Sequence, residues 1–145
     1  MDSINFLYMT DFGIISIEGD VEPTIAIRNT DSPNYPEIYI IGTNEMENDH
    51  LGIHSCKSGY LTHLTCGYLR SNDAIYFDEI DPYIISYVTN IENNNYDSGG
   101  PVFVYIDINH VYLSGILTGG IGDIGLTTHI DSILTRGRLL FVDII

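Results

Sequence analysis

The apolar positions of this chain fall into short runs divided by polar turn clusters, and almost none of the runs keeps a period near 3.6. The segments "FGIISIE", "TIAIRN", "EIYIIGT", "GYLTHLTCGYLR", "AIYFDE", "YIISYVT", "PVFVYID", "VYLSGILTGG" and "RLLFVDI" read as strands, by alternation or by continuous β-branched and aromatic sequence. Between them stand "NTDSPNYP", "TNEMENDH", "RSND", "ENNNYDSGG" and "DIN", all rich in residues that favour turns. Short strands at such regular spacing predict an all-β fold, a small antiparallel barrel or sandwich. Only "HIDSILTRG" carries a helical pattern. No internal repeat interrupts the reading, and "ENNN" is too short to count as low complexity.

Composition sharpens this picture. Twenty-four isoleucines and 11 tyrosines reinforce the preference for pleated strands. A length of 145 residues suits one domain with its own core. Five basic against 20 acidic side chains leave a formal charge of −15, which repels polyanions and anionic membranes and argues against nucleic acid as a partner. The apolar run nearest the N-terminus, "INFLYM", has no basic residue ahead of it and is far shorter than a membrane span, so neither a signal peptide nor a transmembrane helix is expected. No N-x-S/T sequon occurs.

Two stretches carry candidate chemistry. In "NNNYDSGGPVF", Ser98 stands between an aspartate and two glycines. Glycines leave backbone amides unobstructed, so Ser98 is either an exposed nucleophile beside oxyanion donors or simply part of a turn. Cys56 and Cys66 are ten positions apart in "CKSGYLTHLTC", with Ser58-Gly59 as a turn. That spacing fits a bridge across a hairpin, worth about 2 to 3 kcal/mol; it equally allows two reduced, buried cysteines.

Together these stretches resemble the trypsin-like and chymotrypsin-like serine proteases. "YDSGGPVF" resembles their nucleophile segment, and "CKSGYLTHLTCGYL" is similar to the disulfide-closed hairpin of the bacterial streptogrisin and α-lytic branch. "SGILTGG" resembles the strand lining the substrate cleft, "GLTTHI" the strand after it, and "TDFGIISIE" the strand that carries the triad aspartate. The blocks occur in the family's order and cover most of the chain.

The resemblance implies an antiparallel chymotrypsin-like barrel, the second of the two-barrel fold, with the first barrel mostly absent. Residues 1–17 would be the last strand of the first barrel, 18–23 ("EGDVEP") a connector and 24–145 the C-terminal barrel, all one protease domain. Ser98 would be the nucleophile and Asp11 the residue that orients its histidine base. The amides of Tyr96 and Ser98 would form the oxyanion hole, although the family has glycine at the position of Tyr96. Asp97 would pair with Lys57, where a lysine clamps less tightly than a bidentate arginine. Thr118, Gly119 and Gly120 would form one wall of the primary pocket and residues 91–95 the other, with Glu92 at its base favouring lysine or arginine beside the scissile bond.

The family's histidine precedes the triad aspartate by a few dozen residues, whereas only ten residues precede Asp11 and none is histidine. All five histidines, His50, His54, His63, His110 and His129, come later. A serine hydroxyl without a base is a poor nucleophile near neutral pH. The expected function is therefore serine endopeptidase chemistry in the complete fold, with this chain inactive alone; the alternative is a noncatalytic homologue that binds peptides or proteins. Expected partners are a peptide or protein substrate and either a first-barrel partner or a second copy. No cofactor is implied, and no H-x-H, H-E-x-x-H or clustered cysteine spacing points to a metal. The family and the disulfide suggest an extracellular setting.

Overall fold

The computed structural model of the chain describes residues 10–45, 50–77, 82–85, 87–121 and 123–137. Within them the β-branched runs form β1 (Ala26–Arg28), β2 (Glu37–Thr43), β3 (His54–Ser58), β4 (Leu64–Ser71), β5 (Ala74–Phe77), β6 (Pro82–Ile85), β7 (Tyr87–Thr89), β8 (Pro101–Tyr105), β9 (His110–Ile121) and β10 (Ile124–His129). One helix, α1 (Ile130–Gly137), follows β10 directly.

Six strands pair in the order β3, β4, β7, β10, β9 and β8, and β8 returns to β3, closing an antiparallel barrel. Closure satisfies both edges of every strand in the ring, which a sheet of this size otherwise leaves open. Outside the ring, β2 pairs in parallel with the first part of β9, from Tyr39↔His110 to Thr43↔Leu113, and β1 pairs antiparallel with β2. A parallel pair needs a long crossover, and the whole chain between β2 and β9 supplies it. β5 and β6 form a separate two-stranded ribbon.

Packing follows from these pairings. Ile27 and Ile38, from the strands outside the ring, bury with Cys56, Phe103 and Val111, and Ile40, Leu64 and Tyr105 pack against that cluster. Cys56 and Cys66 oppose each other across the β3–β4 pair and are joined by a disulfide, with Cα atoms 4.0 Å apart. In α1, Ile130 and Ile133 are buried, and Asp131 in the first turn and Arg136 in the last complement the helix dipole.

One expected strand is not formed. Residues 10–18 carry no ladder pairing, and Ile14, Ile15 and Ile17 are 61%, 91% and 61% exposed. A strand exists only with a neighbour to accept its hydrogen bonds, and no described strand is paired with this segment. The expected strand "RLLFVDI" falls outside the described residues.

Candidate active site

Ser98 stands at the end of a loop shaped by its own aspartate. The Asp97 amide donates to Asn94 O at 2.9 Å, and the Asn94 amide donates to Asp97 Oδ2 at 2.9 Å, so the turn through Asn95 and Tyr96 is closed from both sides. The next turn, over Ser98 and Gly99, is closed by Gly100 N to Asp97 O at 3.0 Å. Gly99 has φ +87°, a conformation that favours glycine. At Gly100 an added Cβ would lie 2.4 Å from Ser58 O, so the chain passes too close to β3 for any side chain. Bonds from Gly99 N to Leu117 O (2.7 Å) and from Leu117 N to Gly100 O (2.9 Å) fasten this turn to β9.

Below the loop, the Asp97 carboxylate is enclosed. It accepts from Leu61 N at 2.8 Å and Thr62 N at 3.0 Å on Oδ1, and from Thr62 Oγ1 at 2.6 Å and Asn94 N on Oδ2. Lys57 Nζ lies 3.3 Å from Oδ2, and neither side chain of this pair is exposed. The same ammonium donates to Thr62 Oγ1 and to His63 O. Burial by itself would raise the Asp97 carboxyl, but the Thr62 hydroxyl and the amides of Thr62, Leu61 and Asn94 outweigh it and hold the group well below the ordinary carboxylate range. Burial also pushes the Lys57 ammonium below its usual value, against the opposing pull of Asp97.

The turn between β3 and β4 thus wraps the carboxylate, and sequence reading missed it. Thr62 and the amide of Leu61 bind Asp97 from about thirty-five positions away, the separation being 35 for Thr62 and 36 for Leu61. Gly59 is part of the same arrangement: a Cβ there would stand 2.3 Å from Asp97 Oδ1. The turn glycine in "CKSGY" was the available signal, since a glycine can mark close approach as well as a bend.

Above the loop, the Ser98 hydroxyl is exposed and donates to Thr118 O at 3.4 Å. It opens into a cleft of about 430 Å³ bounded by Asp11, Phe12 and Ile15 on one side and by Ser98, Leu117 and Thr118 on the other. Asp11 therefore shares a cavity with Ser98, and its backbone carbonyl accepts from Thr128 Oγ1 at 3.0 Å, which ties the segment to β10. Among the described residues, no acceptor engages the amides of Tyr96 or Ser98, and the Tyr96 side chain is 73% exposed.

No histidine lines this cleft among the described residues. His63 Nδ1 pairs with Asp31 at 2.9 Å and His110 Nδ1 with Asp107 at 2.9 Å. His129 is buried, 3.5 Å from Asp131 and edge-on to the Tyr87 ring. His50 and His54 are exposed.

Farther along β9, Gly119 faces open space, whereas Gly120 is covered by the Asn93 carboxamide, whose Oδ1 would lie 1.8 Å from a Cβ at that position. Asn93 Nδ2 donates to Ile91 O at 3.0 Å and to Ile124 O at 3.3 Å. Glu92 is exposed, and its backbone carbonyl accepts from Thr65 Oγ1 at 2.7 Å. Within the segment 91–95 expected to face that wall, the residue that lies against Gly120 is therefore Asn93.

No family model and no curated protein matches the chain. Solved structures do. A chymotrypsin from Cellulomonas bogoriensis superposes with a TM-score of 0.70 at 18% identity, over 86% of this chain and 65% of that one. Protease A from Thermobifida fusca gives a TM-score of 0.66 at 22% identity, over 82% and 61%. A Nocardiopsis protease gives 0.66 at 17%, over 83% and 61%. The chain thus spans less than two thirds of the length of these enzymes. At such identities the likeness speaks for architecture, and the chain is built on the chymotrypsin-like β-barrel of the bacterial serine proteases.

Proposed function

We propose that this chain is the nucleophile-bearing barrel of a serine peptidase, cleaving peptide bonds by acyl transfer to Ser98. The observation that carries the reading is the clamp beneath the loop: five donors converge on Asp97, so the adjacent serine is presented to the cleft that it shares with Asp11. In that reaction the Ser98 oxygen attacks the substrate carbonyl carbon while its proton passes to an imidazole oriented by Asp11. The oxyanion that develops is met by the unengaged amides of Ser98 and Tyr96. When the amine departs, the imidazole returns the proton, and water then releases the acyl group by the same route.

In this reading the imidazole comes from outside the described cleft, since no histidine is among the described residues that line it. A first-barrel segment or a partner chain would supply it. By itself the chain is therefore expected to hydrolyse activated esters and peptides no faster than the Ser98→Ala variant. A fluorophosphonate probe, which reacts with base-activated serines, should leave Ser98 unlabelled in the chain alone and label it once a histidine-bearing first barrel is added. Stoichiometric labelling of the purified monomer would overturn the need for an outside base and would mean that one of the five histidines is recruited.

A second reading is supported by Asn93 and Tyr96. The carboxamide seated on Gly120, and a side chain where an oxyanion loop is normally bare, suit a homologue that binds peptide without cleaving it. Peptide binding that persists unchanged in Ser98→Ala, with no labelling in the presence of the first barrel, would favour this reading.

A further inference from the structure

His54 and Cys56 lie two residues apart on β3, and Cys66 stands directly opposite Cys56 on β4. Residues two apart on a strand share a face, so the imidazole and both sulfurs project from the same side of the hairpin. One donor atom from each of the three lies within 4.8 Å of the other two. His54 is exposed, and its ring meets the edge of Tyr68 with centroids 5.5 Å apart. No described group takes a hydrogen bond from that ring or gives one to it. Two thiolates and an imidazole are a donor set that selects zinc and related soft or borderline cations over calcium or magnesium.

The geometry points to a redox-gated metal site: once the disulfide is reduced, Cys56 Sγ, Cys66 Sγ and a ring nitrogen of His54 bind one Zn²⁺, with water in the fourth position. With the disulfide formed, the sulfurs are not available as thiolates, so the covalent bridge and the metal exclude each other. Cys66 is exposed and gives a reductant its point of attack. With a phosphine as reductant, two electrons pass from phosphorus to the S–S bond, water supplies the oxygen of the phosphine oxide, and its two protons end on the two sulfurs. Zn²⁺ then displaces those two protons.

In a tetrahedral site with Zn–S bonds of about 2.3 Å, the sulfurs stand about 3.8 Å apart. Rotation about the cysteine side-chain bonds reaches that separation with the strands in register. Exposed His54 and Cys66 leave the fourth direction open to solvent. Cys56 directly precedes Lys57, so either bridge holds β3 to β4 beside the ammonium that pairs with Asp97. The sequence signature is H-x-C on one strand facing a cysteine on the next, a pattern that motif spacing alone does not reveal.

The test is a Co²⁺ titration of the full chain, oxidised and phosphine-reduced, followed by Zn²⁺ competition. The reduced chain should take up one Co²⁺ with thiolate-to-cobalt absorption and the intense visible bands of a four-coordinate ion, and Zn²⁺ should displace it. The oxidised chain should take up none. His54→Ala should keep the thiolate band and lose at least tenfold in affinity. Equal affinity in His54→Ala, equal affinity in urea-unfolded chain, or no uptake by reduced chain would each overturn the site. If reduction alone unfolds the protein, circular dichroism decides: strand signal restored by stoichiometric Zn²⁺ supports the site, and signal not restored overturns it.

Discussion

Lys57 and Asp97 are forty positions apart in the sequence and 3.3 Å apart in the fold, with neither side chain reached by solvent. An ion pair in such a place is costly to break, because the partner left behind is a charge without water.

Lys57→Leu should therefore destabilise the protein by about 3 to 5 kcal/mol in denaturant unfolding. The double variant Lys57→Leu/Asp97→Asn should lose clearly less than the two single losses combined, since it strands no charge. Strict additivity in this cycle would mean that the two groups do not interact.

The acid limb of stability should belong in good part to Asp97. Its carboxyl titrates below its unfolded value, so the stability it contributes is complete above about pH 3.9, the ordinary aspartate value, and is lost as pH falls from there through the lower folded value. Asp97→Asn removes this dependence, and its unfolding free energy should fall less steeply than that of the parent chain below about pH 4. Asp107 titrates in the same direction, through the Asn109 amide and His110, but it is exposed and should contribute little. Parallel acid limbs in the two proteins would rule out the assignment.

Two glycines provide a matched test of the wrapped turn. Gly59→Ala drives a methyl into the Asp97 carboxylate and should lower the thermal midpoint and speed amide exchange in residues 94–98. Gly119→Ala meets nothing within 4 Å and should stay within about 0.5 kcal/mol of the parent. Similar behaviour of the two variants would contradict the close approach.

The segment ahead of the barrel should make the isolated chain sticky. Ile14, Ile15 and Ile17 are exposed on backbone that has no ladder partner, a surface suited to a neighbouring strand. Sedimentation should reveal concentration-dependent association, weakened by Ile15→Asp. A strictly monomeric chain at high concentration would show that the segment needs no cover.

What was legible in the sequence was what depends on near neighbours. Alternation in "PVFVYID" and "VYLSGILTGG" marked β8 and β9, the ten-residue spacing of the cysteines marked a hairpin, and the last periodic stretch marked α1. The Lys57 and Asp97 contact came from resemblance to a family, and the fold places the two together. Less legible were contacts between a side chain and distant backbone: Thr62 on Asp97, Asn93 on Gly120 and Thr128 on Asp11 leave no periodic trace. The apolar run "FGIISIE" misled for a related reason, since strand-forming residues predict a strand only where a partner exists.

The hydrogen bonds that assemble the cleft join parts of the chain that are far apart in sequence. Asp97 is fixed by residues 35 and 36 positions before it, Ser98 by one 20 positions after, and Asp11 by one 117 positions away. Contacts of such separation form slowly, because chain entropy must be lost before they add any stability. Hairpins such as β3–β4 and β8–β9 join near neighbours, whereas the setting of Ser98 also needs β8 to return to β3 and bring Asp97 to Leu61 and Thr62. Whatever chemistry Ser98 performs thus rests on contacts that no local piece of the chain can make, and it is expected only of the finished molecule.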